Sequence, residues 1–556
     1  MKYTKILPIL AVAGAMTVVS CNDSIEENAF VPTAPAELID SIATDLASYK
    51  CPTYEDDYTA NASWANRSSW NLANVHDPSV MLAEDGYYYM YQTDASYGNA
   101  HSGNGHFHAR RSKNLVDWQY MGATANEKAF TWVKDTLNAQ RKRLGLEPIY
   151  KPTYGYWAPS VRKVRDGLYR MYYSIVVDNY IGSGEQNTTA NFDSTWTERA
   201  YIGVMECSNP ALNQWEDKGY VICSSSDKGK NWKRKSTSDY DAYFRFNAID
   251  PSYIITSKGE HWLIYGSWHS GIAAVQLNPE TGKTLNPLSE PWGDNAEAIS
   301  SYGTRIFSRD INSRWQATEA PEIIEKDGYF YLFLANDALD VPYNTTVVRS
   351  KSITGPYETM NGAITDCATQ RVLNNATVLT HPYKFADTAA DSHGWVGISH
   401  CAVFNDGNGN YYYASQQRFP SNFGGNSNSN AIMLGGVRSI QWVDGWPVVM
   451  PERYGKVPQE TISESELVGE WEQIDLAYEY GVQKTSTTLT LNADKTVANG
   501  TSLGATWSYD ASNKILTIGD VKTKVQREVD WEASPRKVTI VFSGVTGKKS
   551  LWGKKK

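Results

Sequence analysis

Three carboxylates occur in short proline-containing motifs: Asp77 in His-Asp-Pro-Ser, Asp250 in Ile-Asp-Pro-Ser and Glu319 in Thr-Glu-Ala-Pro-Glu. A single Asp-Pro pair is ordinarily part of a turn or a helix cap. Three acids at matching places of a repeat are different, because like charges that converge destabilise one another and a fold has no structural need for them. The pattern therefore favours a catalytic cluster.

Hydrolysis of a glycosidic bond is a reaction that such a cluster supports. One carboxylic acid protonates the leaving oxygen, and a second carboxylate activates water or attacks directly. A third carboxylate can hold up the pKa of the acid by like-charge repulsion and can orient it. The three motifs supply enough carboxylates for all of these roles.

The motifs belong to a degenerate internal repeat, which is the element that must position them. Each copy starts with an apolar strand, turns at a glycine and returns as an aromatic strand, a pattern typical of a β-hairpin. A fifth copy, around His400, lacks the proline but keeps the rest. The other four copies start at Pro78-Ser79, Pro159-Ser160, Pro251-Ser252 and Pro321-Glu322.

In three of the copies a third strand, a polar turn and an outer strand follow the hairpin, so that one copy makes a four-stranded unit. The four proline-containing starts are 70 to 92 residues apart, which implies long loops. We expect an all-β fold, a five-bladed β-propeller over residues 61–458 with almost no helix. A long two-sheet sandwich is the competing architecture, but sandwiches do not repeat a four-stranded unit. In the propeller the x-Pro-Ser positions ring the central axis, and Ala158 takes this place in the second copy.

A second domain is predicted at residues 464–556. Alternating strands with short polar turns follow Pro458 and are sufficient for a small β-barrel or sandwich. Its residues Trp471, Trp507 and Trp531 could bind glycan or pack in a core, and core packing is the simpler interpretation.

The first residues have the pattern of an export signal. Two lysines precede an apolar run that ends at Ser20-Cys21, and the run is too short for a membrane span. We therefore predict a lipoprotein signal peptide over residues 1–20 and a lipidated Cys21 on a polar tether over 21–60. An acidic stretch at 22–27 favours surface exposure on the outer membrane.

The composition of the chain limits the classes of partner and of structural framework that are expected. A formal charge of −9 argues against nucleic acid, since phosphate binding needs clustered Lys and Arg. The 36 tyrosines and 19 tryptophans suit either a β-rich core or sugar binding. The five cysteines beyond Cys21 are odd in number and irregularly spaced, so they predict neither a disulfide framework nor a zinc site.

The ordered set of motifs resembles glycoside hydrolase family 43, and most closely its endo-α-1,5-L-arabinanases. The resemblance spans the whole predicted propeller. Its motifs are Val75–Val80, Tyr156–Val161, Ala248–Pro251, Tyr265–Ile272, Glu319–Pro321 and Asp444–Pro447.

The resemblance implies catalytic roles. Asp77 is then the general base, Glu319 the general acid and Asp250 the residue that tunes and positions the acid. It also implies inversion at the anomeric carbon, for which acid and base lie roughly 6.5–9.5 Å apart to admit a water. Glu322 is a rival for the acid, but residues three apart in a strand point to opposite faces.

Further residues follow from the same resemblance. His400 is expected to hold an axial calcium ion together with waters, although calcium prefers oxygen ligands. The local sequence Ser-His-Cys departs from the Gly-His-Asn of the family, and a His bonded in the core or to substrate is the alternative. Substrate contacts are expected from Trp157, Trp268, His269 and Ser270.

The sequence thus predicts an inverting endo-arabinanase, acting as a monomer on arabinan or arabino-oligosaccharides. An exo-acting arabinanase, an α-L-arabinofuranosidase or a β-xylosidase on the same fold is the first alternative. The inserts Thr124–Lys151 and Asn179–Arg199 would decide whether the cleft is open or blocked. A non-catalytic surface glycan-binding lipoprotein is a further alternative, which the presence of all three acids disfavours.

Overall fold

The computed structural model describes residues 43–54, 64–94, 104–126, 128–177, 179–195, 199–237, 239, 244–339, 341–385, 393–420, 433–500 and 502–556. The predicted signal peptide, Cys21 and most of the predicted tether lie outside these residues. Within them, no helix has both the length and the apolar character needed to cross a membrane.

Five antiparallel sheets of four strands each follow one another along the chain, and in each sheet the spatial order of the strands equals their order in sequence. The innermost strands of neighbouring sheets contact one another in a closed circle of five. The predicted all-β, five-bladed propeller is therefore confirmed.

Blade one contains β1 (Ser79–Leu82), β2 (Tyr88–Tyr91), β3 (His106–Ser112) and β4 (Gln119–Ala125). Blade two contains β5 (Tyr154–Arg165), β6 (Leu168–Val177), β7 (Arg199–Cys207) and β8 (Glu216–Cys223). The short pair β9 (Ser225–Ser226) and β10 (Phe244–Phe246) precedes blade three, which contains β11 (Ser252–Ile255), β12 (His261–Tyr265), β13 (Ile272–Leu277) and β14 (Thr304–Phe307). Blade four contains β15 (Thr318–Lys326), β16 (Tyr329–Asn336), β17 (Asn344–Ser350) and β18 (Thr377–Thr380), and after β19 (Tyr383–Lys384) blade five contains β20 (Val396–Asn405), β21 (Tyr411–Arg418), β22 (Leu434–Val443) and β23 (Trp446–Val449).

Every innermost strand begins with a kink near the axis. At the kink of each blade a residue that is not glycine adopts a positive φ between 45° and 54°, a left-handed conformation that L-residues avoid. These five ring residues are Asp77, Ala158, Asp250, Ala320 and His400. Four of them precede a proline, so the repeat seen in the sequence is a repeated backbone kink.

Side chains two residues after the kinks join successive blades. Each accepts a hydrogen bond from a backbone amide of the next innermost strand. The bonds are Val161 N to Ser79 Oγ (3.0 Å), Tyr253 N to Ser160 Oγ (3.0 Å), Ile323 N to Ser252 Oγ (3.2 Å) and Val403 N to Glu322 Oε1 (3.0 Å). The serine of the x-Pro-Ser motif therefore has a structural role, which Glu322 takes over in blade four.

One insert departs from the expectation of almost no helix. Helix α1 (Trp132–Arg143) lies within the insert Thr124–Lys151 and buries Val133 and Leu137. Its twelve residues contain neither glycine nor proline, and the spacing of four between the two buried side chains is helical. Short 3₁₀ turns occur at Trp64–Ser69, Pro210–Leu212 and Ser300–Tyr302.

The C-terminal domain begins with the single turn α2 (Glu464–Leu467) and forms an eight-stranded antiparallel, barrel-like sheet. Trp471, Trp507 and Trp531 are all buried, which confirms core packing over an exposed sugar platform. A separate short strand, β25 (Lys484–Thr485), pairs with β19 of the propeller. The eight strands of the sheet are β24 (Gly469–Asp475), β26 (Thr487–Leu491), β27 (Val497–Ala498), β28 (Trp507–Asp510), β29 (Ile515–Ile518), β30 (Val521–Asp530), β31 (Lys537–Thr546) and β32 (Lys549–Lys555).

A buried ionic cluster joins this domain to the propeller. The Lys554 ammonium on β32 lies 3.0 Å from Glu452, which follows blade five, and 2.9 and 2.7 Å from Asp530 and Glu532. The lysine side chain is only 3% exposed. Burial disfavours the lysine charge, but the three neighbouring carboxylates raise the pKa of Lys554 well above its ordinary value. The lysine is therefore charged and contacts carboxyl groups from both domains, of which Glu452 has a pKa that burial and the charge of Glu532 raise well above its ordinary value.

Replacing this lysine by an uncharged side chain of similar length should destabilise the protein. We expect Lys554→Met to lower the free energy of unfolding by about 3–5 kcal/mol, because Asp530 and Glu532 lose the cation that they contact. Urea denaturation followed by tryptophan fluorescence measures the loss. The matched control Lys556→Met removes an exposed pair with Glu470 at 3.5 Å and should cost at most about 1 kcal/mol. Equal losses in the two variants would contradict the interpretation.

Candidate active site

The predicted site residues meet at the end of the propeller where the kinks begin. Asp77 Oδ1 lies 2.8 Å from His400 Nδ1, so blades one and five, which are neighbours in the ring, are in direct contact near the axis. Asp250 Oδ2 accepts a hydrogen bond of 3.1 Å from the amide of Ala320 in blade four. Asp77 and Asp250 are 7% and 5% exposed. The structure thus brings the two aspartates and His400 together with the strand that carries Glu319.

The three carboxylates do not occupy the same position within the repeated unit. The left-handed residue of blade four is Ala320, so Glu319 lies one residue before the position that Asp77 and Asp250 occupy. The expectation that all three acids stand at matching places is therefore wrong for Glu319. The blade-two residue at the place of Glu319 is Trp157, since both precede an alanine in the left-handed conformation. A register shift between Glu319 and Glu322 accompanies the kink.

Asp77 is held as a carboxylate by donors on every side. Its Oδ2 lies 2.8 Å from His76 Nδ1 and accepts a bond of 2.6 Å from Thr93 Oγ1. Burial raises the pKa of Asp77, but the charges and hydrogen bonds of His400 and His76 outweigh burial and bring this pKa well below its ordinary value. Asp77 is therefore ionised at neutral pH.

The other aspartate titrates differently. Burial, together with the negative charges of Glu319 and Asp77, raises the pKa of Asp250 to about 7, although His400 opposes the shift. Burial would lower the pKa of His400, but Asp77 above all, with Asp250 and Glu319, raises it to about 9. His400 is consequently an imidazolium at neutral pH, and one of the carboxyl groups around it, Asp250, is only partly ionised there.

Glu319 is oriented by three donors. Its Oε2 accepts from Ser267 Oγ at 2.9 Å and from the indole Nε1 of Trp268 at 2.7 Å, and its Oε1 accepts from the Tyr343 hydroxyl at 2.7 Å. An indole N–H only donates, whereas a tyrosine hydroxyl donates or accepts. When Glu319 is protonated, the proton therefore belongs on Oε1, where Tyr343 can turn to accept it.

The predicted substrate-contacting residues fall into two groups. Trp157 is 40% exposed, and its indole folds over Gly155, where a Cβ would lie 2.7 Å from Nε1. Trp268 contacts Glu319 directly. His269 and Ser270 are buried behind Trp268, and Ser270 Oγ donates to the carbonyl of Phe244 at 3.2 Å. Direct contact of these two with substrate stays a prediction.

Glu322 does not share the environment of Glu319. It forms an ion pair of 2.7 Å with Arg162 and accepts a bond of 2.6 Å from Ser252 Oγ. Together with the amide of Val403, these donors occupy both carboxylate oxygens inside the ring. The rival for the acid role is therefore committed to holding blades together.

The side chains around His400 do not by themselves form a calcium cage. Calcium takes six to eight oxygen ligands, whereas His400 offers nitrogen and its Nδ1 already contacts Asp77. The axial cavity beside it measures about 20 Å³, which is room for one water-sized species. In the described part of the chain, the one cluster of three ligand-type side chains is Glu452 with Asp530 and Glu532, and Lys554 contacts all of them. Calcium at His400 stays a prediction.

Four side chains that hold the carboxylates were not among the residues predicted from the sequence. His76 and Ser267 lie within quoted motifs and were signalled by their position next to Asp77 and Trp268. Thr93 follows the second strand of its blade, where a search for hydroxyls at strand ends would have found it. Tyr343 precedes β17 without any motif, so its contact with Glu319 had no signal in the sequence.

A β-propeller with three carboxylates converging at its axis defines a glycoside hydrolase. The model of glycosyl hydrolases family 43 matches residues 72–447, and a family model of a C-terminal lipocalin-like domain matches residues 451–553. The chain belongs to glycosyl hydrolases family 43, as the resemblance of its motifs implied.

Relatives extend over both domains. The extracellular endo-α-(1→5)-L-arabinanase of Thermotoga petrophila is 24% identical over 508 residues, covering 87% of this chain and 94% of the relative. The extracellular endo-α-(1→5)-L-arabinanase 2 of Bacillus subtilis is 22% identical, covering 89% and 96%. The crystal structure of the endo-1,5-α-L-arabinanase from Thermotoga petrophila RKU-1 aligns with a TM-score of 0.64 at 21% identity, over 88% of this chain and 99% of that one. This structural likeness confirms the fold.

The charge state of His400 can be tested directly. We expect the Cε1 signal of His400 to titrate near pH 9 in protein carrying ¹³C-labelled histidine, because its carboxylate neighbours favour the imidazolium. In Asp77→Asn the largest of these partners is neutral while burial remains, so the pKa should fall toward or below 6.5. The variant His400→Gln assigns the signal among the nine histidines. A His400 pKa that does not move in Asp77→Asn would refute the assignment.

Proposed function

We propose that the protein is an inverting endo-acting arabinanase that cleaves internal α-1,5-L-arabinofuranosidic bonds. One observation carries the proposal: the axis holds one carboxylate that two histidines keep ionised and another that a tyrosine and a tryptophan orient. The two relatives covering both domains are named endo-arabinanases, which favours arabinan as the substrate.

Asp77 is the proposed general base. Its depressed pKa leaves it ionised, and His400, His76 and Thr93 fix the orientation of its carboxylate. A water beside Asp77 would lose its proton as it attacks the anomeric carbon from the face opposite the leaving sugar. That geometry inverts the configuration.

Glu319 is the proposed general acid, and Asp250 the residue that adjusts it. The acidic proton on Oε1 passes to the glycosidic oxygen as the bond breaks, and Trp268 and Ser267 retain the other oxygen. Asp250, whose pKa is about 7, lies close enough to interact with Glu319 and binds the amide of Ala320 next to it. Negative charge on Asp250 disfavours early ionisation of the acid.

Product analysis on linear, debranched arabinan tests this function. The wild type should release a ladder of oligosaccharides with rapid loss of viscosity. Glu319→Gln and Asp77→Asn should each lower kcat by about 10²–10⁴-fold, the usual contribution of a general acid or base. Glu325→Gln, which changes the same residue type at the far end of β15 and contacts Ser257, is the matched control and should keep its activity.

Other outcomes assign other functions. A single short product or monomer alone would make the enzyme exo-acting, as the relative from Cellvibrio japonicus is named. If the enzyme left arabinan intact and cleaved xylan-derived substrates, the family assignment would stand and the assignment of arabinan as the substrate would fail. Early ¹H NMR spectra of the products distinguish inversion from retention, and retention would overturn the role of Asp77 as base.

We also propose that the protein is anchored in the outer membrane through lipid on Cys21. The support is the charged start and short apolar run before Ser20-Cys21, together with relatives named extracellular. Cys21→Ala should move the protein from the membrane fraction to the soluble fraction and abolish incorporation of labelled palmitate. If Cys21→Ala stayed in the membrane fraction, the proposal that lipid on Cys21 anchors the protein would be wrong.

A further inference from the structure

The C-terminal domain touches the propeller a short distance from Glu319. The segment between β24 and β25, residues 476–483, crosses the boundary between the domains. Its end is fixed by Lys484 N, which donates to the carbonyl of Pro382 at 2.8 Å, and by the parallel pairing of Tyr383 with Lys484. The amide of Glu479 donates to His381 at 3.3 Å. The segment is therefore held against the chain that follows blade four by bonds from its backbone amides.

Tyr478 is the side chain that this segment inserts into the propeller. Its hydroxyl donates to Asp337 Oδ2 at 2.9 Å and accepts from Arg309 Nη2 at 3.3 Å. Asp337 and Arg309 form an ion pair of 2.7 Å and are 6% and 8% exposed. A phenol from one domain thus completes a buried polar group of the other, where an unmade bond is expensive.

Two chains of bonds lead from Asp337 to the strand and side chain of Glu319. In the first, Asn344 Nδ2 donates to Asp337 Oδ2 at 3.2 Å, and the neighbouring Tyr343 donates to Glu319 Oε1 at 2.7 Å. In the second, the carbonyl of Ala317, two residues before Glu319, accepts from the Asp337 amide at 2.9 Å and from Arg309 Nη1 at 2.7 Å.

Both chains act on the position of Glu319. The first sets where the Tyr343 hydroxyl stands, and the second sets the backbone from which the acid projects, since Ala317 is itself in a left-handed conformation with φ 47°. We propose that Tyr478 of the C-terminal domain is a positioning residue for Glu319, acting through Asp337. The proposal rests on the proposed function, and it makes the second domain part of the support of the site.

Removing one hydroxyl tests this role. We expect Tyr478→Phe to lower kcat on linear arabinan by about 5–20-fold with KM changed less than twofold, because the acid is displaced while the sugar-binding surface is untouched. Tyr480→Phe, in the same segment and 49% exposed, is the control and should match the wild type.

A double-mutant cycle separates positioning from general stability. If Tyr478 acts through Asp337, then Asp337→Asn combined with Tyr478→Phe should be hardly slower than Asp337→Asn alone, because both chains of bonds start at Asp337. Multiplied losses would overturn the proposal. A Tyr478→Phe enzyme with wild-type kcat and KM would overturn the proposal while leaving the arabinanase function intact.

Hydrogen exchange supplies a readout that does not depend on the substrate. Peptides containing Ala317 or Asn344 should exchange faster in Tyr478→Phe than in the wild type or in Tyr480→Phe, and peptides from blades one and two should not change. Unchanged exchange at both places would overturn the proposal even if arabinan proved not to be the substrate. Faster exchange in a protein that leaves arabinan intact would instead refute the proposed function alone.

Discussion

The propeller depends on one backbone constraint, the left-handed residue at the start of each innermost strand. Such a residue costs about 1–3 kcal/mol unless it is glycine, so the neighbouring blade must hold it. The amides of four ring residues donate to side-chain oxygens on other strands: Asp77 to Gln416, Ala158 to Thr93, Asp250 to Ser174 and Ala320 to Asp250. The kink that starts a blade therefore also brings a side chain to the axis and places a hydroxyl or carboxylate two residues later to join the next blade. Architecture and site share the same residues, which explains why a structural repeat carries catalytic motifs.

Electrostatic interactions then give the chemically similar carboxyl groups at the axis different protonation states. Two unit charges 4 Å apart interact by about 4 kcal/mol at an effective dielectric constant of 20, enough to divide carboxylates into ionised and protonated states. His400 lies against Asp77 and brings the pKa of that carboxyl well below its ordinary range, while burial and the remaining negative charge raise the pKa of Asp250 to about 7. Glu319 differs again, because its three donors act on defined oxygens. The cluster of three acids and one imidazolium thus carries less net charge than its composition suggests, and its members have distinct chemistry.

The C-terminal domain is tied to the propeller by two kinds of polar contact. Lys554 contacts carboxyl groups from both sides of the interface, a contact that concerns stability. Tyr478 reaches a buried ion pair that continues to the strand of Glu319, a contact that concerns the geometry of the site. Trp471, Trp507 and Trp531 of this domain are all buried and therefore do not form an exposed surface for sugar binding. The domain therefore supports the enzyme through its interface.

The sequence by itself determined the class of fold and the identity of the axial carboxylates, because hairpin turns, strand alternation and proline motifs are local patterns that repeat. It also determined the second domain, whose strands alternate regularly. Three features were decided only by the tertiary structure: the one-residue offset of Glu319, the contact of Tyr343 with that acid, and the passage of Tyr478 from one domain into the other. Helix α1 was likewise missed within an insert that carries no repeat. These features depend on kinks, bulges and contacts between residues far apart in the chain, and spacing along a sequence contains no record of which distant side chain fills a particular hydrogen bond.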